Sequence, residues 1–137
     1  MPSLPEWDAL RHALRDLHRA LVDRASRDYT YAHERLAQPT SGELLQMLTK
    51  DPEFSWLRQL SAAMATIDLA RDEEPSTRDE LAAQVRAEVA RMVSPPAAGT
   101  APDAFAQRYW PYVQQDPHIA MAHAAVKRAI SGWPTAA

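Results

Sequence analysis

The 137-residue chain contains no cysteine, so disulfides, thiolate metal sites, iron–sulfur clusters and a thiol nucleophile are all excluded. Glycine is scarce: Gly42, Gly99 and Gly132 are the only three, and each falls where a helix would end or join the next. Helix interiors free of glycine avoid a backbone-entropy penalty of about 1 kcal/mol per residue. Lysine is limited to Lys50 and Lys127, which leaves arginine as the main cation. Neither sign of charge dominates, because 15 basic residues face 18 acidic ones for a net charge of −3. Arg11, Arg15, Arg19 and Arg24 are interleaved with Asp8, Asp16 and Asp23. A protein that neutralises several phosphates normally carries a clear positive excess, so no nucleic-acid partner is expected. No run approaches the roughly 18 apolar residues of a membrane span. The opening MPSLPEWDALRH lacks the basic start and apolar centre of a signal peptide. The expectation is a cytoplasmic protein with no membrane partner. There is no Gly-rich phosphate loop, no Gly-x-Ser-x-Gly elbow and no His-Glu-x-x-His, so neither a catalytic set nor a cofactor is expected.

What the chain does have is helical periodicity. With 46% hydrophobic and 24% charged residues, it reads as one globular domain over 1–137. Ser3 and Glu6 have capping-box spacing, and Pro5 suits a first turn whose N–H groups have no partner. Trp7, Leu10, Leu14, Leu17 and Leu21 follow at steps of three and four, continuing more weakly through Ala25, Tyr29, Ala32 and Leu36 until Pro39. A long first helix over about 4–37 is predicted. Thr40 and Glu43 repeat the capping box ahead of a short helix at 44–50. Asp51-Pro52 opens a helix to about Arg71, striped by Phe54, Leu57, Leu60, Met64 and Ile67. Thr77 and Glu80 are predicted to cap a helix over 77–93, striped by Leu81, Val85, Val89 and Met92. A Pro-rich loop at 94–102 leads to helices over about 103–115, where Pro111 predicts a kink, and from Asp116-Pro117 onward, with 132–137 as a C-terminal tail. Without sustained β alternation, the fold class is all-α: an antiparallel bundle of four main helices with a long N-terminal helix, one short extra helix and a kinked or broken C-terminal arm.

Three sets of residues carry the candidate chemistry. His18 lies inside the first stripe and His123 between Ile119 and Val126, so both point inward. Asp68 flanks Met64 and Ile67, and counting helix rise puts it near the depth of His18. The triad His18, His123 and Asp68 is thus a candidate metal or small-ligand site, set against the commoner role of inward histidines as satisfied core residues. Phe54, Trp56, Tyr109 and Trp110 form the second set: packing at the helix ends, or a partner surface of the kind where aromatics supply much of the binding energy. Phe54 and Trp56, two apart on a helix, cannot both face one core, so one needs a second cover from residues 44–50 or from another subunit. The third set is Arg27 and His33. An Arg followed by a His six residues on resembles the active-site motif of helical HEPN-type ribonucleases, with Asp28 at that family's polar position, and implies general acid–base work; solvated helical surface charge is the alternative.

The run Leu-Thr-Lys-Asp-Pro-Glu-Phe-Ser-Trp-Leu-Arg-Gln-Leu-Ser at 48–61, with Ile67-Asp68, is similar to a pattern in small all-helical bacterial proteins of uncharacterised function. So is Gln-Gln-Asp-Pro-His-Ile-Ala-Met-Ala-His-Ala-Ala-Val at 114–126. That resemblance implies an all-helical fold and carries no activity across. The functional expectation is a non-enzymatic protein–protein interaction or regulatory module, with a protein partner or a homodimer. The alternative is a metal- or small-ligand-binding bundle with inward histidines.

Overall fold

A computed structural model describes residues 1–134, all helix and connecting turns, with no strand among them. Six α-helices follow in order: α1 (Leu4–Ala32), α2 (Ser41–Lys50), α3 (Arg58–Arg71), α4 (Pro75–Met92), α5 (Ala104–Gln115) and α6 (Pro117–Ser131). A 3-10 segment at Pro52–Leu57 leads into α3.

The helix starts follow local chemistry. Both capping boxes form, Ser3 with Glu6 and Thr40 with Glu43, each side chain satisfying the other residue's backbone N–H. Asp51 accepts from the Glu53 N–H at 2.9 Å, and Asp116 accepts from the N–H groups of His118 and Ile119 at 3.0 and 3.3 Å. The box expected at Thr77 and Glu80 is not the one used. α4 begins two residues earlier at Pro75, with Glu74 as an N-cap whose side chain makes no capping bond. Proline pre-sets the first helical φ and has no N–H to satisfy, so the earlier start costs little.

α1 is shorter than its apolar stripe suggests. It stops at Ala32, about 43 Å from its start, because Glu34 takes a left-handed conformation (φ 53°). The Arg35 N–H then donates to Thr30 O at 2.9 Å and the Glu34 N–H to Tyr31 O at 3.1 Å, which satisfies carbonyls the helix would leave open. Gln38 folds back beneath the turn, where its side-chain oxygen accepts from Ser26 and Thr30.

Trp7, Leu10, Leu14, Leu17 and Leu21 are fully buried, each worth roughly 1.5–3 kcal/mol of apolar transfer before the entropy of ordering is charged against it. α1 packs mainly on α6 and α3, α4 on α3 and α6, α5 on α6 and the 3-10 segment, and α2 on the 3-10 segment. Trp133, expected in the tail, is a core residue. Its ring lies 4.7 Å from that of Trp7 and its Nε1–H donates to Glu6 O at 3.1 Å, which ties the end of α6 to the start of α1. The rest of the expected tail, 135–137, lies outside the described residues.

Candidate functional site

His18, His123 and Asp68 are not brought together, and among the described residues no group of three metal-ligating side chains forms. On the α1–α3 contact, Asp68 lies 2.7 Å from Arg11 Nε, an ion pair without hydrogen-bond alignment. His18 Nε2 is 3.3 Å from Ser61 Oγ. Asp68 and Ser61 are seven residues apart on α3, roughly 10 Å along the axis, so the equal depth inferred from helix rise does not hold. Burial lowers the pKa of His18, which favours a neutral imidazole.

His123 belongs to a different cluster. Its Nδ1 is hydrogen-bonded to the hydroxyl of Tyr109, a residue with no solvent exposure, and its ring meets Trp110 edge-on at 5.2 Å. Burial pushes the Tyr109 phenol well above its ordinary value, so it keeps its proton. Among the described residues the hydroxyl's polar partner is His123 Nδ1, and which of the two groups donates depends on the imidazole tautomer. Burial, followed by the nearby Lys127 charge, holds the imidazole pKa below its usual value. With Nδ1 engaged by Tyr109, Nε2 is the ring nitrogen left for another partner.

The aromatic residues are largely consumed inside the chain. Phe54, Trp56 and Tyr109 are buried and Trp110 is half-buried. Phe54 and Trp56 are both covered because they leave the 3-10 segment on different sides. Phe54 packs on Tyr29 of α1 at 5.5 Å, and Trp56 on Phe105 and Tyr112 of α5 at 5.9 and 6.0 Å. Cover for Trp56 thus comes from α5, and α2, residues 41–50, also packs on the 3-10 segment.

The densest polar constellation joins α1, α5 and α6. Arg24 donates to Asp28 and to Asp116, both at 3.1 Å, and its guanidinium stands over the Tyr112 ring at 5.4 Å. The Tyr112 hydroxyl donates to the other Asp28 oxygen at 3.0 Å. Burial would raise the Asp116 carboxyl, but the Arg24 guanidinium and the two N–H groups it caps outweigh that and hold it below the usual carboxylate range. Burial and then the Asp28 carboxylate raise the Tyr112 phenol. Arg27 and His33 do not converge on this cluster. Arg27 Nε donates to Asp23 O at 3.4 Å, and His33 Nε2 meets Glu53 at 3.0 Å. The ribonuclease-like pair is thus split between a helix's own backbone and a carboxylate on the 3-10 segment.

Sequence reasoning did not assemble Arg24, Asp28, Tyr112 and Asp116. The available signal was Asp116, an N-cap whose second oxygen needs a donor once buried, but its partner lies 92 residues away. A second feature is apolar. Tyr31, Leu36 and Leu45 are 88%, 105% and 64% exposed, and they gather within one stretch of chain. In α2 only Met47 is buried. Arg35 pairs with Glu43 at 2.8 Å and so fastens the turn carrying Leu36 to the helix carrying Leu45.

No family model, no curated protein and no solved structure matches the chain.

Proposed function

We propose that the protein is a non-enzymatic interaction module that self-associates through the stretch 31–48, with Tyr31, Leu36 and Leu45 at the contact. The observation that carries this reading is the exposure of those three side chains close together in the chain, whereas the exposed Leu69 and Met121 stand singly on other helices. Large exposed apolar groups held on a fixed support are a common mark of a protein contact. A second copy is the occupant the charges favour. A two-fold contact sets one patch against itself and therefore needs balanced charge. Over 31–48, Glu34 and Glu43 stand against Arg35, for a net charge of −1 with His33 neutral, and Arg35 and Glu43 are paired with each other, so only one unpaired acid per copy opposes the contact.

The support is an antiparallel bundle of α1, α3, α4 and α6, with α5 as the broken part of the C-terminal arm. Three pairs favour this reading between α1 and α3: Asp8 with Arg71, Arg11 with Asp68, and His18 with Ser61, each step along one helix matched by an opposite step along the other. Arg24 with Asp116 and Glu6 with Trp133 run the same way between α1 and α6. The short turn between α3 and α4 turns the chain back on itself.

Sedimentation velocity over a wide concentration range tests the reading. The wild-type chain is expected to move toward dimer as concentration rises, and Leu36→Asp/Leu45→Asp to remain monomeric with an unchanged thermal melt. A wild type that stays monomeric at every concentration, or a double variant that associates equally well, contradicts it.

A further inference from the structure

We infer that the cavity between α1, the 3-10 segment and α5 binds a small molecule that carries both an ammonium and a carboxylate on an apolar body, such as a free α-amino acid. The cavity has a volume of about 200 Å³, below the roughly 300–1,000 Å³ range of sites for drug-sized ligands. Phe54 and Tyr112, both buried, and the half-buried Tyr29 give it aromatic walls. Asp28, Glu53 and Arg108 supply the charge.

The two carboxylates are held in place yet keep accepting capacity. Asp28 receives the Arg24 Nε–H and the Tyr112 hydroxyl, and Glu53 meets His33, while the Asp28 and Glu53 side chains remain 48% and 49% exposed. A carboxylate has about four lone-pair positions, so each retains room for an ammonium N–H. Aromatic walls add attraction for a cation. Arg108 differs from the other lining charges. It forms no ion pair among the described residues, and its guanidinium lies over the Trp56 ring at 5.7 Å. Part of the guanidinium lies close to the Tyr112 hydroxyl, and the remaining N–H groups of its planar fork match a carboxylate in a two-pronged contact. Two negative charges beside one positive charge disfavour phosphate-rich ligands and leave a zwitterion as the complementary class.

The inference stands apart from self-association, and amide-resolved NMR titration of the full chain tests it. The probes are L-phenylalanine and L-leucine as zwitterions, phenethylamine as the amine alone and 3-phenylpropionate as the carboxylate alone. At least one amino acid is expected to give saturable shifts at Asp28, Phe54 and Tyr112, with each single-charge analogue about tenfold weaker, as for loss of one charge-assisted contact. Arg108→Gln, a change at an exposed position, is expected to weaken the amino acid to the level of phenethylamine while leaving phenethylamine unaffected. No saturable shift with either amino acid, equal affinity for the single-charge analogues, or indifference to Arg108→Gln overturns the assignment.

Discussion

Glu34 shows how one residue fixes where an element ends. An L-residue with a side chain pays about 1 kcal/mol or more to occupy the left-handed region, which glycine enters freely. Glu34→Gly is therefore expected to stabilise the fold by about 1 kcal/mol and raise Tm by a few degrees, and a calorimetric scan showing a lower Tm would contradict that reading of the turn. The two inward histidines set a second residue-scale expectation. Burial lowers the pKa of both His18 and His123 in the folded chain. The unfolded chain therefore takes up protons first as pH falls through about 6.5, and stability drops with it. Tm is expected to fall between pH 7.5 and 5, with a shallower dependence in His18→Asn/His123→Gln. A Tm that rises on acidification over that interval would reverse the sign and refute the argument.

Elements differ in how much of their placement is local. The capping boxes at Ser3 and Thr40, the proline starts at Pro52 and Pro117 and the leucine stripe of α1 are written within a few residues, so sequence alone locates them. The 3-10 character of 52–57 is not local. It follows from the need to bury Phe54 against α1 and Trp56 against α5, and α5 lies about fifty residues further along the chain. For the same reason the polar constellation was illegible. Arg24 and Asp116 look like surface charge and N-cap until the packing of α1 on α6 sets them 3.1 Å apart. Histidine depth failed because counting rise gives distance along a helix but not the register between two helices. Asp116→Ala removes both the cap of α6 and the partner of Arg24, and is expected to cost about 2 kcal/mol in denaturant unfolding, more than Asp28→Ala, which removes a half-exposed i,i+4 pair with Arg24 and the acceptor of the Tyr112 hydroxyl. Equal losses from Asp116→Ala and Asp28→Ala would show that the link between α1 and α6 has no special weight.

At the scale of the whole molecule, the last described turn packs back on the first helix. Trp133 rests on Trp7, so the end of α6 and the start of α1 share one packed layer. Trp133→Ala is expected to cost about 3 kcal/mol, the loss typical of a buried tryptophan, and unchanged chemical denaturation would show that the closure is dispensable. The opposite end of α1 has no such closure: there Tyr31, Leu36 and Leu45 remain in solvent. That exposure is the basis for the self-association proposed above. Because the chain has no cysteine, Gln46→Cys introduces a single site for a nitroxide label on an exposed position of α2. Dipolar spectroscopy between labelled copies at high concentration is expected to give one short, well-defined distance that disappears when Leu36 and Leu45 are both changed to Asp. A signal indistinguishable from isolated monomers in the unaltered background would contradict the account.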